Sequence, residues 1–138
     1  MVPSEVKELP QWIVWRLEER DGKPTKVPYR ADGQGLAAVN DRSTWATARQ
    51  AYDAWQGGGD YSGLGFVLTA EDPYTGIDLD HCIEDGEVLE WAAAIVDRFD
   101  SYTEITPSGR GLRIWIRAQL PGQRRRKGPI ELYDRDRY

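Results

Sequence analysis

The stretch Gly76-Ile77-Asp78-Leu79-Asp80 alternates apolar and acidic residues, and this alternation constrains the chain more than any other feature. On a strand, successive side chains point to opposite faces. Asp78 and Asp80 therefore project together, while Ile77 and Leu79 face a core. Two close carboxylates repel each other, so placing both at one strand end is costly unless a cation or an arginine sits between them. Hard oxygen ligands in this arrangement suit Mg²⁺ or Mn²⁺, with substrate phosphates completing the shell. A bare Asp-x-Asp by itself favours two solvated residues at a strand end. The flanking apolar residues and the motifs downstream reverse that preference.

The charge distribution points the same way. From Glu71 to Glu104 acidic residues dominate, with Arg98 as the only base. From Ile105 to Gly128 there is no acid, and the bases are Arg110, Arg113, Arg117, Arg124, Arg125, Arg126 and Lys127. Charge is read by region, not by total. The net charge of −5 argues against a protein coated all over for DNA. An acidic region followed by a basic one suits a metal site beside a phosphate-binding wall.

Trp12 to Glu18 reads as a strand, and Asp21-Gly22 favours a hairpin with a return strand over Lys26 to Tyr29. Ser43 is placed to cap a helix running to about Trp55, with Trp45, Ala48, Tyr52 and Trp55 on one face. Gly63 to Thr69 and Tyr74 to Asp80 read as two strands joined by a turn at Glu71-Asp72-Pro73. Val88, Trp91, Ala92, Ile95 and Phe99 mark a second amphipathic helix. Tyr102 to Thr106, Leu112 to Arg117 and Pro129 to Tyr133 read as strands, with a basic loop over Ala118 to Gly128. The order ββαββαβββ fits an α+β fold: an antiparallel or mixed sheet with two helices packed on it.

Thr106-Pro107-Ser108-Gly109-Arg110-Gly111-Leu112-Arg113 is the second motif. Gly109 and Gly111 let the backbone approach a ligand and turn its N–H groups toward an anion. Ser108 adds a hydroxyl, and Arg110 and Arg113 can each grip a phosphate through a fork of donors. A plain hairpin turn is the bland alternative, and the spacing is neither a Walker A loop nor a Rossmann fingerprint. Glu131 is the third feature. An acid between apolar neighbours is costly unless paired or metal-bound. It is either a third ligand or a partner of Arg135 or Arg137. Lys23, Lys26 and Arg30 follow Trp12 and Trp15, and such interleaving suits a nucleic-acid surface. For the tryptophans themselves a core role is preferred. Arg124, Arg125, Arg126 and Lys127 lie between two site motifs, where contact with a phosphate backbone is credible. His81 should face away from Asp80, in a packing role.

Composition excludes other classes. One cysteine and one histidine exclude a zinc finger or ribbon, and Cys82 has no internal partner, which fits a reducing cytoplasm. No apolar run approaches the ~20 residues of a membrane span. The 138 residues suit a single domain over 1–138.

Taken in order, these blocks resemble a known family. Trp12-Ile13-Val14-Trp15-Arg16, Arg20 to Tyr29, Asn40 to Trp45, Gly63 to Val67, Gly76 to Cys82, Tyr102 to Gly109 and Ile130 to Tyr133 cover nearly the whole chain. The chain resembles the N-terminal primase-polymerase domain of phage and plasmid replication proteins, in the archaeo-eukaryotic primase superfamily. The resemblance implies an RRM-like sheet bearing the site, with a smaller N-terminal α/β unit. It implies template-directed nucleotidyl transfer on a DNA template and primer with nucleoside triphosphates, dependent on Mg²⁺ or Mn²⁺, and a helicase domain or protein as companion. Asp78 and Asp80 match the metal ligands of the first motif, Ser108 the serine of the second, and Glu131 the acid of the third. Where the second motif usually has histidine, this chain has Arg113, which binds phosphate but donates no proton near neutral pH. The family usually continues with another strand beyond the equivalent of Tyr138, so the chain is expected to be either a fragment or a short standalone relative. A nucleic-acid-binding module without turnover, and another phosphotransfer enzyme such as a nuclease or a small-nucleotide synthase, are the competing readings.

Overall fold

The structure, a computed structural model, describes residues 2–122 and 125–138. The chain divides into two compact units, Met1–Leu68 with Asp136–Tyr138, and Thr69–Arg135.

The first unit contains helix α1 (Ser4–Lys7), strands β1 (Trp12–Arg20) and β2 (Lys23–Tyr29), a 3-10 turn (Arg42–Thr44), helix α2 (Ala48–Gln56) and strand β3 (Gly63–Phe66). Its sheet has the order β2-β1-β3, antiparallel throughout. The expected hairpin is present: Arg20 pairs with Lys23, and Asp21 and Gly22 both have positive φ, as a two-residue turn of this type requires. Trp12 and Trp15 are buried.

The start of the second predicted element differs. Asp41, not Ser43, caps the 3-10 turn, accepting from the Ser43 N–H and hydroxyl. Ala46 then pairs with Trp12 as an extended segment, so α2 cannot begin until Ala48. Its cap is Thr47, in a reciprocal box with Gln50. That displacement rotates the helix. Ala51 is the buried residue, whereas Tyr52 and Trp55 remain 48% and 37% exposed.

The second unit contains β4 (Tyr74–Leu79), β5 (Ile83–Glu84), β6 (Glu87–Val88), α3 (Glu90–Phe99), β7 (Thr103–Ile105), β8 (Leu112–Arg117), β9 (Arg125–Lys127) and β10 (Ile130–Tyr133). The main sheet is antiparallel, in the order β7-β8-β4-β10-β9. The fold class is α+β, as the element pattern predicts. Three local expectations are corrected. The strand expected beside β4 is β3, which lies in the other sheet. The segment read as a basic loop contains β9. Val88, expected on the second helix, lies instead in β6 of the small hairpin β5–β6, which turns on Asp85 and Gly86 at positive φ. That Asp-Gly signal was readable in the sequence.

Alternation along β4 governs how this sheet packs. Ile77 and Leu79 join Leu112, Ile114, Cys82 and Ala92 in one buried cluster, with Trp91, Ile95 and Val96 of α3 against it. Burying each such aliphatic side chain contributes about 1.5–3 kcal/mol. A one-residue slip would send Asp78 into that cluster and the aliphatics out, so the register is strongly specified. His81 does not pack: it sits at positive φ in the turn after β4 and is exposed.

Candidate functional site: an acidic row across the second sheet

Residues directly opposite one another in an antiparallel sheet share a face. The register therefore builds a row across all five strands: Glu104 opposite Arg113, Arg113 opposite Asp78, Asp78 opposite Glu131, and Glu131 opposite Arg126. The row lies on the face opposite the aliphatic cluster. At its centre two acids, Asp78 and Glu131, stand side by side, and like charges so placed are destabilising. The structure compensates with arginines on both flanks.

Arg113 compensates Asp78. Its Nε donates to Asp78 Oδ1 at 2.7 Å and its second nitrogen to Oδ2 at 3.2 Å. The Tyr133 hydroxyl donates to the same Oδ1 at 2.8 Å. Arg113 and Asp78 side chains are only 12% and 10% exposed. Burial opposes the Arg113 charge, but Tyr133, Asp78 and Glu104 more than offset it, so its pKa is raised. Gly76 makes the geometry possible: a Cβ there would lie 2.7 Å from the Tyr133 ring. Farther out, Glu104 accepts from the Tyr102 hydroxyl at 3.1 Å and from Trp115 Nε1 at 3.3 Å.

Arg126 compensates the other two acids. One terminal nitrogen donates to Asp80 Oδ2 at 3.0 Å, the other to Glu131 Oε1 at 3.1 Å. Its side chain is 51% exposed, while that of Glu131 is 6% exposed. The hydrogen bond to Asp80, then the charge of Glu131, raise the Arg126 pKa. Asp80 is anchored through its backbone, the N–H donating to Pro129 O at 2.7 Å.

The loop over residues 106–111 joins β7 to β8. The Arg110 carbonyl accepts from Cys82 and Ile83 N–H groups at 2.9 and 3.1 Å, which ties the loop to the segment just after Asp80. Gly111 permits close packing, since a Cβ there would meet the Leu79 carbonyl at 2.9 Å. The Gly109 N–H is engaged by Thr106 O at 2.8 Å and the Arg110 N–H by the Ser108 hydroxyl at 3.2 Å. The Ser108 and Arg110 side chains lie on the surface.

The other predicted residues are placed as follows. β9 sorts the basic run by alternation. Arg126 joins the row, whereas Arg125 and Lys127 pair with Leu132 and Ile130 and so take the opposite face. Arg125 donates to Pro121 O at 3.0 Å. Arg124 lies outside the described residues. In the first unit, Lys23 is exposed at the hairpin end, and the Lys26 ammonium sits between the rings of Trp15 and Tyr138 at 5.0 and 4.4 Å. That unit also has a cavity of about 520 Å³ beside Arg30, Asp32, Trp45, Gln50 and Asp53. Its polar groups are engaged locally, Arg30 with Asp32, Gln50 with Thr47 and Asp53 with Arg49. Sequence reasoning missed Tyr133 and Gly76 as partners of Asp78. Their signal was the two-residue spacing that puts Tyr133 on the face of Glu131 and Gly76 on that of Asp78.

Among the described residues, no three His, Cys, Asp or Glu side chains gather into a ready-made metal cage. The donors nonetheless suit a hard divalent ion held by one or two carboxylates, with substrate oxygens and water filling the shell. Arg126 is the observation behind this fit: a cation already spans Asp80 and Glu131.

The fold is α+β. One relative bears out the resemblance to primase-polymerases. Over 136 residues, 93% of its own length, the chain is 36% identical to a protein named DNA Primase-polymerase from Nitratiruptor phage NrS-1. The chain spans 18% of that relative's length. No family model matches it. No helix among the described residues is long and apolar enough to cross a membrane.

Proposed function

We propose that this chain is the catalytic portion of a phage-type DNA primase-polymerase, adding nucleotides to a primer on a DNA template with Mg²⁺ or Mn²⁺. The observation that carries the reading is the pair Asp78 and Glu131 on neighbouring strands, with Asp80 beside them, in a chain related to a phage protein of that name. Asp78, Asp80 and Glu131 would hold the ion. Bound there, it would help activate the primer 3′-hydroxyl and neutralise charge on the leaving pyrophosphate.

The chain's own residues do the positioning. Arg113 and Tyr133 hold the Asp78 carboxylate in one orientation, so Arg113 serves Asp78 before it serves a phosphate. The Ser108 hydroxyl and the Arg110 guanidinium, exposed on the loop with Gly109 and Gly111, would meet the triphosphate. The 3′-oxygen attacks the α-phosphorus, the bond to the β-phosphate oxygen breaks, pyrophosphate leaves and the hydroxyl proton passes to solvent. Catalysis of this kind is mostly orientation and charge neutralisation. Lys23, Lys26, Arg124, Arg125 and Lys127 would contribute to the nucleic-acid surface, and a helicase domain or partner would supply unwound template in the cytoplasm.

A second reading, a nucleic-acid-binding module without turnover, is favoured by one observation: arginines already neutralise all three acids. Primer extension and de novo priming with Mn²⁺ or Mg²⁺ separate the two. Asp80→Ala and Asp78→Asn should each lower incorporation by about a hundredfold or more, the scale of losing a charge-stabilising group, with DNA binding retained. A natural chain that binds DNA and incorporates nothing belongs to the second reading.

A further inference from the structure

The two arginines of the row differ in a way that the proposed reaction does not require. We infer that Arg126 is a built-in, exchangeable counter-ion. It occupies the charge position between Asp80 and Glu131 that a divalent cation held by these acids would compete for, and so sets how tightly the site binds metal. The inference rests on the reading of Asp78, Asp80 and Glu131 as metal ligands.

Four observations support it. Arg126 reaches two different acids with two different nitrogens, at 3.0 and 3.1 Å, and so lies between them rather than beside one. The register makes this placement systematic, because Arg126 stands directly opposite Glu131. A third contact, from the Asp80-bound nitrogen to Gly128 O at 3.3 Å, comes from the turn that brings β9 back onto β10. Finally, β9 is an edge strand and the Arg126 side chain is half exposed. An arginine at a sheet edge can swing into water and recover hydration, whereas one buried in the row cannot. Arg113 is the internal contrast. It is nearly buried and bound through two nitrogens to Asp78, so it stays when a metal arrives.

The physical consequence is competition. A divalent ion binding Asp80 and Glu131 displaces a monovalent guanidinium, and the lost ion pairs subtract from the affinity gained. The Asp80 pair is exposed and salt-screened, and the Arg126 end of the Glu131 pair is half exposed, so the guanidinium regains water on leaving and exchange is feasible at working metal concentrations. A released Arg126 remains at the rim of the site, able to meet the phosphate oxygens that complete the metal's shell.

The test is metal binding, not turnover. Mn²⁺ affinity of the chain is measured by calorimetry and by loss of the free-Mn²⁺ electron-spin signal, for the natural protein, Arg126→Gln, Arg126→Lys and Asp80→Asn, with thermal melts confirming that each is folded. Arg126→Gln should bind Mn²⁺ about three- to tenfold more tightly, the scale of removing one exposed and one part-buried competing pair. Arg126→Lys, which keeps the positive charge, should fall between the two. Unchanged or weaker Mn²⁺ binding by Arg126→Gln overturns the inference. The underlying metal-site reading fails separately, if Asp80→Asn binds Mn²⁺ as well as the natural chain does.

Discussion

Two arginine–carboxylate groups flank the centre of one sheet, and they differ in burial rather than chemistry. Arg113 grips Asp78 in a nearly dry setting, with Tyr133 adding a third donor. Arg126 spans Asp80 and Glu131 at a wet edge. Desolvation decides what each can do. Removing one partner of a buried pair strands a charge, at a cost of roughly 3–5 kcal/mol, while exposed pairs contribute little. The same row of charges thus contains one part that is structural and one that is exchangeable.

The sharpest way to break the comparison is Asp78→Ala, which leaves the Arg113 guanidinium buried without its carboxylate. It should lose about 3–5 kcal/mol of stability in urea unfolding. Arg126→Gln should move the same curve less, because Arg126 and Asp80 stay open to water and only the buried Glu131 loses this partner. Equal losses from the two would mean that burial does not separate them. Gly76→Ala should come next. Its new methyl meets the Tyr133 ring at 2.7 Å, so overpacking of about 1–3 kcal/mol is expected, along with a displaced hydroxyl on Asp78. A neutral Gly76→Ala melt would show that the ring can move freely.

The smallest effect lies at the outer end of the row. Burial, then the charge of Glu104, push the Tyr102 phenol up to about 12, against ~10 for an unperturbed tyrosine. The folded chain holds that proton more tightly than the unfolded chain does. This contribution to stability is complete below pH ~10 and is lost as pH rises through about 12. Tyr102→Phe should therefore flatten part of the alkaline limb in melts taken across that range. An unchanged limb would place the loss elsewhere.

Short-range patterns were the legible part of this chain. The Asp21-Gly22 hairpin, the strand carrying Asp78 and the amphipathic face of α3 rest on turn chemistry and periodicity, which act over a few residues. The α2 face was misjudged because pairing of Ala46 with Trp12, remote in sequence, delayed the helix start. β9 was missed because a run of like charges carries no apolar period. What makes it a strand is pairing with β10.

Residue chemistry and alternation alone determined that Asp78 opposes Ile77 and Leu79, that a second acid, Asp80, follows at the strand's end, and that basic residues come after. These are properties of a strand's own geometry. Tertiary structure alone decided which base meets which acid. Strand order is set by the burial of whole faces, and only the order β7-β8-β4-β10-β9 puts Arg113 on one side of Asp78 and Glu131 on the other. The same pairing leaves Arg126 at an edge where water can reach it. The difference between a fixed and an exchangeable counter-ion is therefore a matter of position in the sheet, which no local pattern in the chain records.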